Sequence, residues 1–234
     1  YFFDRVFDST ISLQISNQNR KSIDNDGNEE DYSPYKGKSI ELSWQGGYIL
    51  YDINMLSFGV NFSNEQMETG DITKKNADIN NYWFQDQLII SDWLDIVAGL
   101  RIDNHDHFGS ETTYRLAPAY TIEQTSTTLK ASYGTGFRAP SLFELYSNYC
   151  GNKSLKPEES KGWDFGIEQS IMMNKIKFGI TCFNMIFKNR IDYDESISKY
   201  NQLSGNTKTK GVEAFANWIP YDNLSFKVNY SNTK

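Results

Sequence analysis

"LDIVAGLRID", residues 94–103, alternates between two kinds of side chain, Val97 apart. Leu94, Ile96, Ala98, Leu100 and Ile102 fall on one side, and Asp95, Gly99, Arg101 and Asp103 on the other. A helix would scatter both sets around its axis, whereas a strand sends successive side chains to opposite faces. The segment is a β-strand with one apolar and one polar face. "TTYRLAPAYTI" (112–122), "MLSFGVNFS" (55–63) and "NLSFKVNY" (223–230) repeat the pattern.

Extended along the chain, the alternation predicts about eleven strands, near 8–19, 38–46, 55–66, 81–90, 94–103, 112–122, 127–136, 161–170, 175–188, 207–218 and 223–232. The 175–188 strand slips. Ile176, Phe178 and Ile180 share one face and Phe183, Met185 and Phe187 the other, so a β-bulge is expected near Cys182.

Composition agrees with an all-β chain, since aromatics make up 15% of the 234 residues and suit a pleated surface. The net charge of -7 argues against a nucleic-acid binder, which would show a basic face. No apolar run reaches the length of a membrane helix, and "YFFDRVFDST" at the start has no signal-peptide pattern. Cys150 and Cys182 have no spacing that suggests zinc.

Alternation alone does not separate a β-sandwich from a barrel. The connections do more. Residues 20–37 are a long connection, 47–54 short, 67–80 long, 91–93 short, 104–111 intermediate, 123–126 short, 137–160 long, 171–174 short, 189–206 long and 219–222 short. That parity puts tight turns at one end of an antiparallel meander and loops at the other, as in outer-membrane barrels. A Greek-key sandwich would scatter its long crossovers. Tyr48, Trp93, Trp218 and Tyr221 beside the short turns would form an interfacial girdle.

The longest connection carries the most distinctive residues. "SYGTGFRAPSLFELYSNYCGNKSLKPEESKGWDFGIEQ" (132–169) resembles the signature of TonB-dependent outer-membrane receptors. The matching positions are Gly134, Gly136, Phe137, Ala139, Pro140, Leu145, Tyr146, Gly151, Asn152, Leu155, Pro157, Glu158, Ser160, Gly166 and Glu168. "NYWFQDQLIISDWLDIVAGLRIDNHDHFGS" (81–110) is similar to the family's preceding hairpin. "NRIDYDESISKYNQLSGNTKTKGVEAFANW" (189–218) is similar to a later one, in a combination most like vitamin B12 receptors. Siderophore receptors share much of it.

The resemblance implies an antiparallel transmembrane β-barrel, with about eleven strands here of a plugged barrel of the 22-stranded type. It implies that residues 1–234 are a partial barrel domain, with the plug domain, the TonB box and the final strands not among them. It further implies a transporter that performs no bond chemistry and carries no cofactor. Its partners would be outer-membrane lipid, the TonB complex through plug and box, and cobalamin or, alternatively, an iron–siderophore. A passive porin is the reading from another class, and the 132–169 signature speaks against it.

Read physically, Gly134 and Gly136 clear one strand face for a close neighbour, while Pro140 and Pro157 stop strand pairing. Phe137, Leu142, Phe143, Leu145 and Tyr146 can fold the 137–160 connection onto itself or the rim. The signature residues Gly134, Gly136, Phe137, Ala139, Pro140, Gly151, Asn152, Leu155, Pro157, Glu158 and Ser160 are accordingly expected to be structural. Ligand contact is expected at loop tyrosines: Tyr146, Tyr149, Tyr193 and Tyr200, with Tyr32 and Tyr35 behind them.

Other constellations are weaker. "DNDGNEED" (24–31) groups Asp24, Asp26 and Glu29 in a loop that could attract calcium. Counting from Asp24, Gly27 is the fourth residue, so the EF-hand pattern, which needs Gly sixth, fails. "DNHDH" (103–107) brings His105 and His107 beside Asp103 and Asp106, a metal-binding possibility whose plainer reading is a polar strand end. No GxSxG and no nucleophile–base pair occurs, so an outer-membrane hydrolase is not expected.

Overall fold

The computed structural model describes residues 7–20, 35–50, 53–69 and 72–234. They form eleven long strands in one antiparallel sheet and one separate hairpin. In chain order these are β1 (Phe7–Arg20), β2 (Tyr35–Leu50), β3 (Asn54–Thr69), β4 (Ile72–Ser91), β5 (Leu94–His105), β6 (Gly109–Ile122) and β7 (Thr127–Arg138). A five-residue helix, α1 (Leu142–Tyr146), precedes β8 (Glu158–Ile171) and β9 (Ile176–Lys188). The small hairpin β10 (Ile191–Asp194) and β11 (Lys199–Gln202) follows, then β12 (Asn206–Tyr221) and β13 (Leu224–Thr233). Every strand of the large sheet pairs with its sequence neighbour, β9 passing directly to β12.

Register carries the alternation across the sheet. Leu100 stands between Phe84 and Tyr114, and its neighbour Arg101 between Trp83 and Thr113. The apolar set therefore forms one continuous face, on which Phe84, Leu100, Tyr114 and Leu116 remain 47 to 50% exposed. The polar set forms the other face, and the loops fold over it: Met67 and Ala77, on its parity, pack with Leu142. That face is the inner one. The dry packing of this chain lies within the loop cap, in the groups Met67, Ile72, Ala77 and Leu142, and Leu145, Leu155 and Ile191. The outward apolar band is left for a lipid solvent.

Short turns occupy one end, as the connection lengths predict. There Trp93 stacks edge-on to Tyr120 at 5.5 Å, Trp218 lies on Phe226 at 5.5 Å, and Tyr221 is 69% exposed. At the other end, two expectations need correction. The 67–80 and 104–111 connections are mostly strand, since β3 pairs with β4 out to Thr69 and Ile72, and β5 with β6 out to His105 and Gly109. Polar residues there extend the ladder beyond the apolar band, helped by Asn64 donating to Asp78 at 2.6 Å.

The bulge expected near Cys182 is absent. β9 pairs residue for residue with both β8 and β12 from Ile176 to Lys188. Ile176, Phe178, Ile180 and Cys182 face outward, and Phe183, Met185 and Phe187 face inward on the same regular strand. The inner face accepts an aromatic there because Gly211 opposes it: a Cβ on Gly211 would lie 2.6 Å from Phe183 Cζ. The "DNDGNEED" stretch and Tyr32 lie outside the described residues. Cys150 and Cys182 are both free.

Candidate functional site

The 139–157 connection is compact because its ends and its helix are tied to one another. Pro140, buried, halts the strand. Ser141 then caps α1 by a capping box: the Glu144 N–H donates to Ser141 Oγ at 3.2 Å, and the Ser141 N–H to Glu144 Oε2 at 2.7 Å. "SLFE" is the sequence signal for this helix, and strand-based reading passed over it. Arg138 locks the base of the loop. Its Nε donates to Glu158 Oε2 at 2.7 Å, and its terminal nitrogens donate to Glu144 at 3.2 and 3.3 Å.

Glu158 also accepts the Ile191 N–H at 2.6 Å, which carries the network into the β10–β11 hairpin. Asn152 continues it, donating to the Tyr200 carbonyl at 3.0 Å while the Tyr200 N–H donates to the Cys150 carbonyl at 2.8 Å. Gln202 Nε2 donates to the carbonyls of Lys156 and Asn189 at 2.9 and 3.0 Å. Gly151 is needed where it stands, since a Cβ there would lie 2.6 Å from the Ser147 nitrogen and 3.0 Å from the Leu145 oxygen. Leu155 is 3% exposed. Gly136 meets the Ser160 side chain, where an added Cβ would be 2.6 Å from Oγ. Gly151, Asn152, Leu155 and Glu158 thus sit inside the cap's own bonding and packing, while Gly136 and Ser160 oppose each other across β7 and β8 below it.

The loop tyrosines divide. Tyr193 and Tyr200 face each other across β10–β11 with ring centroids 5.6 Å apart. Tyr200 meets Phe143 at 6.1 Å, and Phe143 meets Tyr35 at 6.5 Å. Sequence-distant aromatics therefore form one row of edges across the cap. Burial first, then the neighbouring ionisable groups Cys150, Glu144 and Tyr193, pushes the Tyr200 phenol up from its ordinary value. Tyr149 is 75% exposed at the surface of the cap, and Tyr193 is 45% exposed.

Tyr146 belongs to a different group. The Lys75 and Lys153 ammonium groups lie 5.2 and 5.8 Å from its ring centre, and it packs beside both apolar groups of the cap. A cavity of about 620 Å³ opens next to it, lined by Lys75, Tyr146, Asn152, Lys153, Ser154 and Lys199 among others. Its lysines come from separate segments, so no local sequence pattern announces them. The His107 ring also meets Tyr146, at 6.2 Å, and His105 and Asp106 stand beside it. Burial opposes ionisation of Asp106, but hydrogen bonds from His107 and the Asp78 backbone outweigh it and hold the carboxyl below its ordinary range. Asp103 does not join them: it is held by Arg101, whose Nε and terminal nitrogen donate to it at 2.7 to 3.0 Å.

Among curated proteins, the "Vitamin B12 transporter BtuB" of Vibrio cholerae serotype O1 is 29% identical over 227 residues, covering 91% of this chain. The protein of that name from Photobacterium profundum is 32% identical over 137 residues, 58% of this chain and 22% of its own length. This chain spans about 35% of the length of the Vibrio relative. Among solved structures, the siderophore receptor PirA from Pseudomonas aeruginosa superposes with a TM-score of 0.84 at 22% identity, over 97% of this chain and 44% of that one. The copper transporter OprC gives a TM-score of 0.67 at 16% identity, over 86% of this chain and 38% of its own. The model of the TonB dependent receptor-like β-barrel matches residues 1–234. The chain therefore belongs to the TonB-dependent receptor β-barrel family, and its strands are those of an outer-membrane barrel of a Gram-negative bacterium.

Proposed function

We propose that this chain is the partial barrel domain of an active transporter that imports a corrinoid such as cobalamin. Plug and TonB-binding segments in other parts of the full-length protein would move the ligand on. The loop cap would receive it from outside, and energy delivered through TonB would displace the plug. The role is capture and passage, without bond chemistry.

The observation that carries the ligand choice is the similarity, over 91% of this chain, to proteins named as vitamin B12 transporters. The cap is compatible with it. A corrinoid offers broad apolar edges ringed by amides, which suit aromatic edges interspersed with hydrogen-bonding groups. Tyr35, Phe143, Tyr200 and Tyr193 supply such a row, its Tyr193 end is exposed, and Tyr149 of the same loop cap is more exposed still.

A ferric siderophore is the second reading, and one feature favours it. Lys75, Lys153 and Lys199 around one polar cavity suit a ligand of several negative charges better than a corrinoid. Equilibrium titration of the full-length receptor in detergent, with cyanocobalamin against a panel of ferric siderophores, separates the two. Tight cobalamin binding that weakens about tenfold in Tyr193→Ala or Tyr200→Ala supports the corrinoid reading and its site. Binding confined to an iron complex, and weakened by Lys153→Gln, would replace it.

A further inference from the structure

β5 ends in an unusual convergence. Asp106 Oδ1 lies 3.0 Å from His105 Nδ1 and 2.5 Å from His107 Nδ1. One donor atom from each of the three residues lies within 4.8 Å of the others. The His105 side chain is only 4% exposed and stands edge-on to Phe108, with ring centroids 4.9 Å apart. The His107 ring meets the Tyr146 ring at 6.2 Å. Packing therefore holds both imidazoles toward one carboxylate.

Hydrogen bonding alone leaves His105 Nδ1 in conflict. The His107 N–H donates to it at 3.1 Å, which requires a lone pair on that nitrogen. The carboxylate oxygen at 3.0 Å requires a proton there instead. A neutral imidazole nitrogen offers one or the other. Either tautomer leaves a repulsive contact beside a buried ring, where poorly matched polar groups are costly. A cation at the point of convergence removes the repulsion, because both imidazole lone pairs and the carboxylate can then point at positive charge. The His107 amide hydrogen bond and the His107 Nδ1–Asp106 hydrogen bond are given up in exchange, the His107 ring carrying its proton on Nε2 instead, and that side chain is 36% exposed.

The donor chemistry narrows the ion. Two imidazole nitrogens and one carboxylate oxygen suit zinc, copper(II) or nickel, while calcium and magnesium seek oxygen donors throughout. Three protein ligands leave a coordination position on the side where His107 and Asp106 are 36 and 31% exposed. We propose that His105, Asp106 and His107 bind one divalent transition-metal ion and so fasten the β5–β6 turn against Tyr146 of α1. The site uses none of the residues assigned to the corrinoid, so it stands or falls separately from the ligand reading.

The test is zinc titration by calorimetry of tag-free, full-length receptor in detergent, in a buffer that does not chelate metals, with calcium as the comparison. The expected result is one zinc ion per receptor, with affinity weakened about tenfold or more in both Asp106→Asn and His107→Gln. Heat-modifiable electrophoretic migration confirms that each variant remains a folded barrel. His107→Gln keeps the turn's size and polarity, so a loss of zinc binding in the folded variant is loss of a ligand. Cobalt substitution should add a visible absorption band that both variants lose. The proposal is overturned if zinc does not bind stoichiometrically, if both variants bind it as the parent does, or if calcium binds there in preference.

Discussion

The face assignment makes a quantitative claim at Leu116. This residue lies opposite Ala98 on β5 and is 50% exposed on the outward face. Ala98 is five residues beyond Trp93 in the short-turn girdle. At roughly 3.4 Å per residue and a strand tilt near 40°, that is about 13 Å of height, close to the middle of an apolar band about 25 Å tall. Leu116→Arg therefore places a guanidinium near the midplane and should destabilise the inserted barrel by about 2–4 kcal/mol. Leu100 is two residues farther along, about 5 Å above that plane, so Leu100→Arg should cost about 1–3 kcal/mol. Arg115→Leu, next to Leu116 but on the inner face between Gly99 and Gly134, should change stability by less than about 1 kcal/mol. The assay is urea-dependent folding of the full-length receptor in lipid bilayers, read by heat-modifiable migration. Equal costs for Leu116→Arg and Arg115→Leu would refute the face assignment, and a cost at Leu100 exceeding that at Leu116 would refute the depth.

Further predictions concern the cap. Gly151→Ala forces a Cβ against the Ser147 backbone and should cost about 1–3 kcal/mol, seen as faster proteolysis of the 139–157 loop on intact cells. Arg138→Ala leaves Glu144 and Glu158 without their shared cation. Because Arg138 is 47% exposed and solvent screens the loss, the cost should be about 1 kcal/mol, with faster amide exchange at Ile191 and Glu144. Gly211→Val drives a side chain into Phe183 and should lower the folded fraction more than the neighbouring outward change Val212→Ala, compared in the same urea titration.

The strand count, the two faces and the end that bears the tight turns were all legible in the sequence. Each depends on a period of two or on turn chemistry, and both act over a few residues. The bulge reading failed for a reason of that same range. From β9 alone, Phe183, Met185 and Phe187 look like a second apolar face that needs a slip, and only the neighbouring strand supplies Gly211 as the space for an inward aromatic. The long loops were overcounted because polar residues in a strand beyond the membrane read like loop residues; their pairing partner decides the difference. The loop tyrosines could be named as candidates, but whether they meet could not. Tyr193 and Tyr200 reach Phe143, and through it Tyr35, because the Arg138–Glu158–Ile191 bonds bring the small hairpin onto the helix loop. The three cavity lysines likewise come together from separate segments. Local alternation thus determined that this chain is a sheet with one apolar and one polar face, since each face announces itself at every second residue, and the parity of short and long connections added the barrel. The site on the cap was decided by tertiary structure alone, because its contacts join residues as much as 108 positions apart, Tyr35 and Phe143, that carry no shared period.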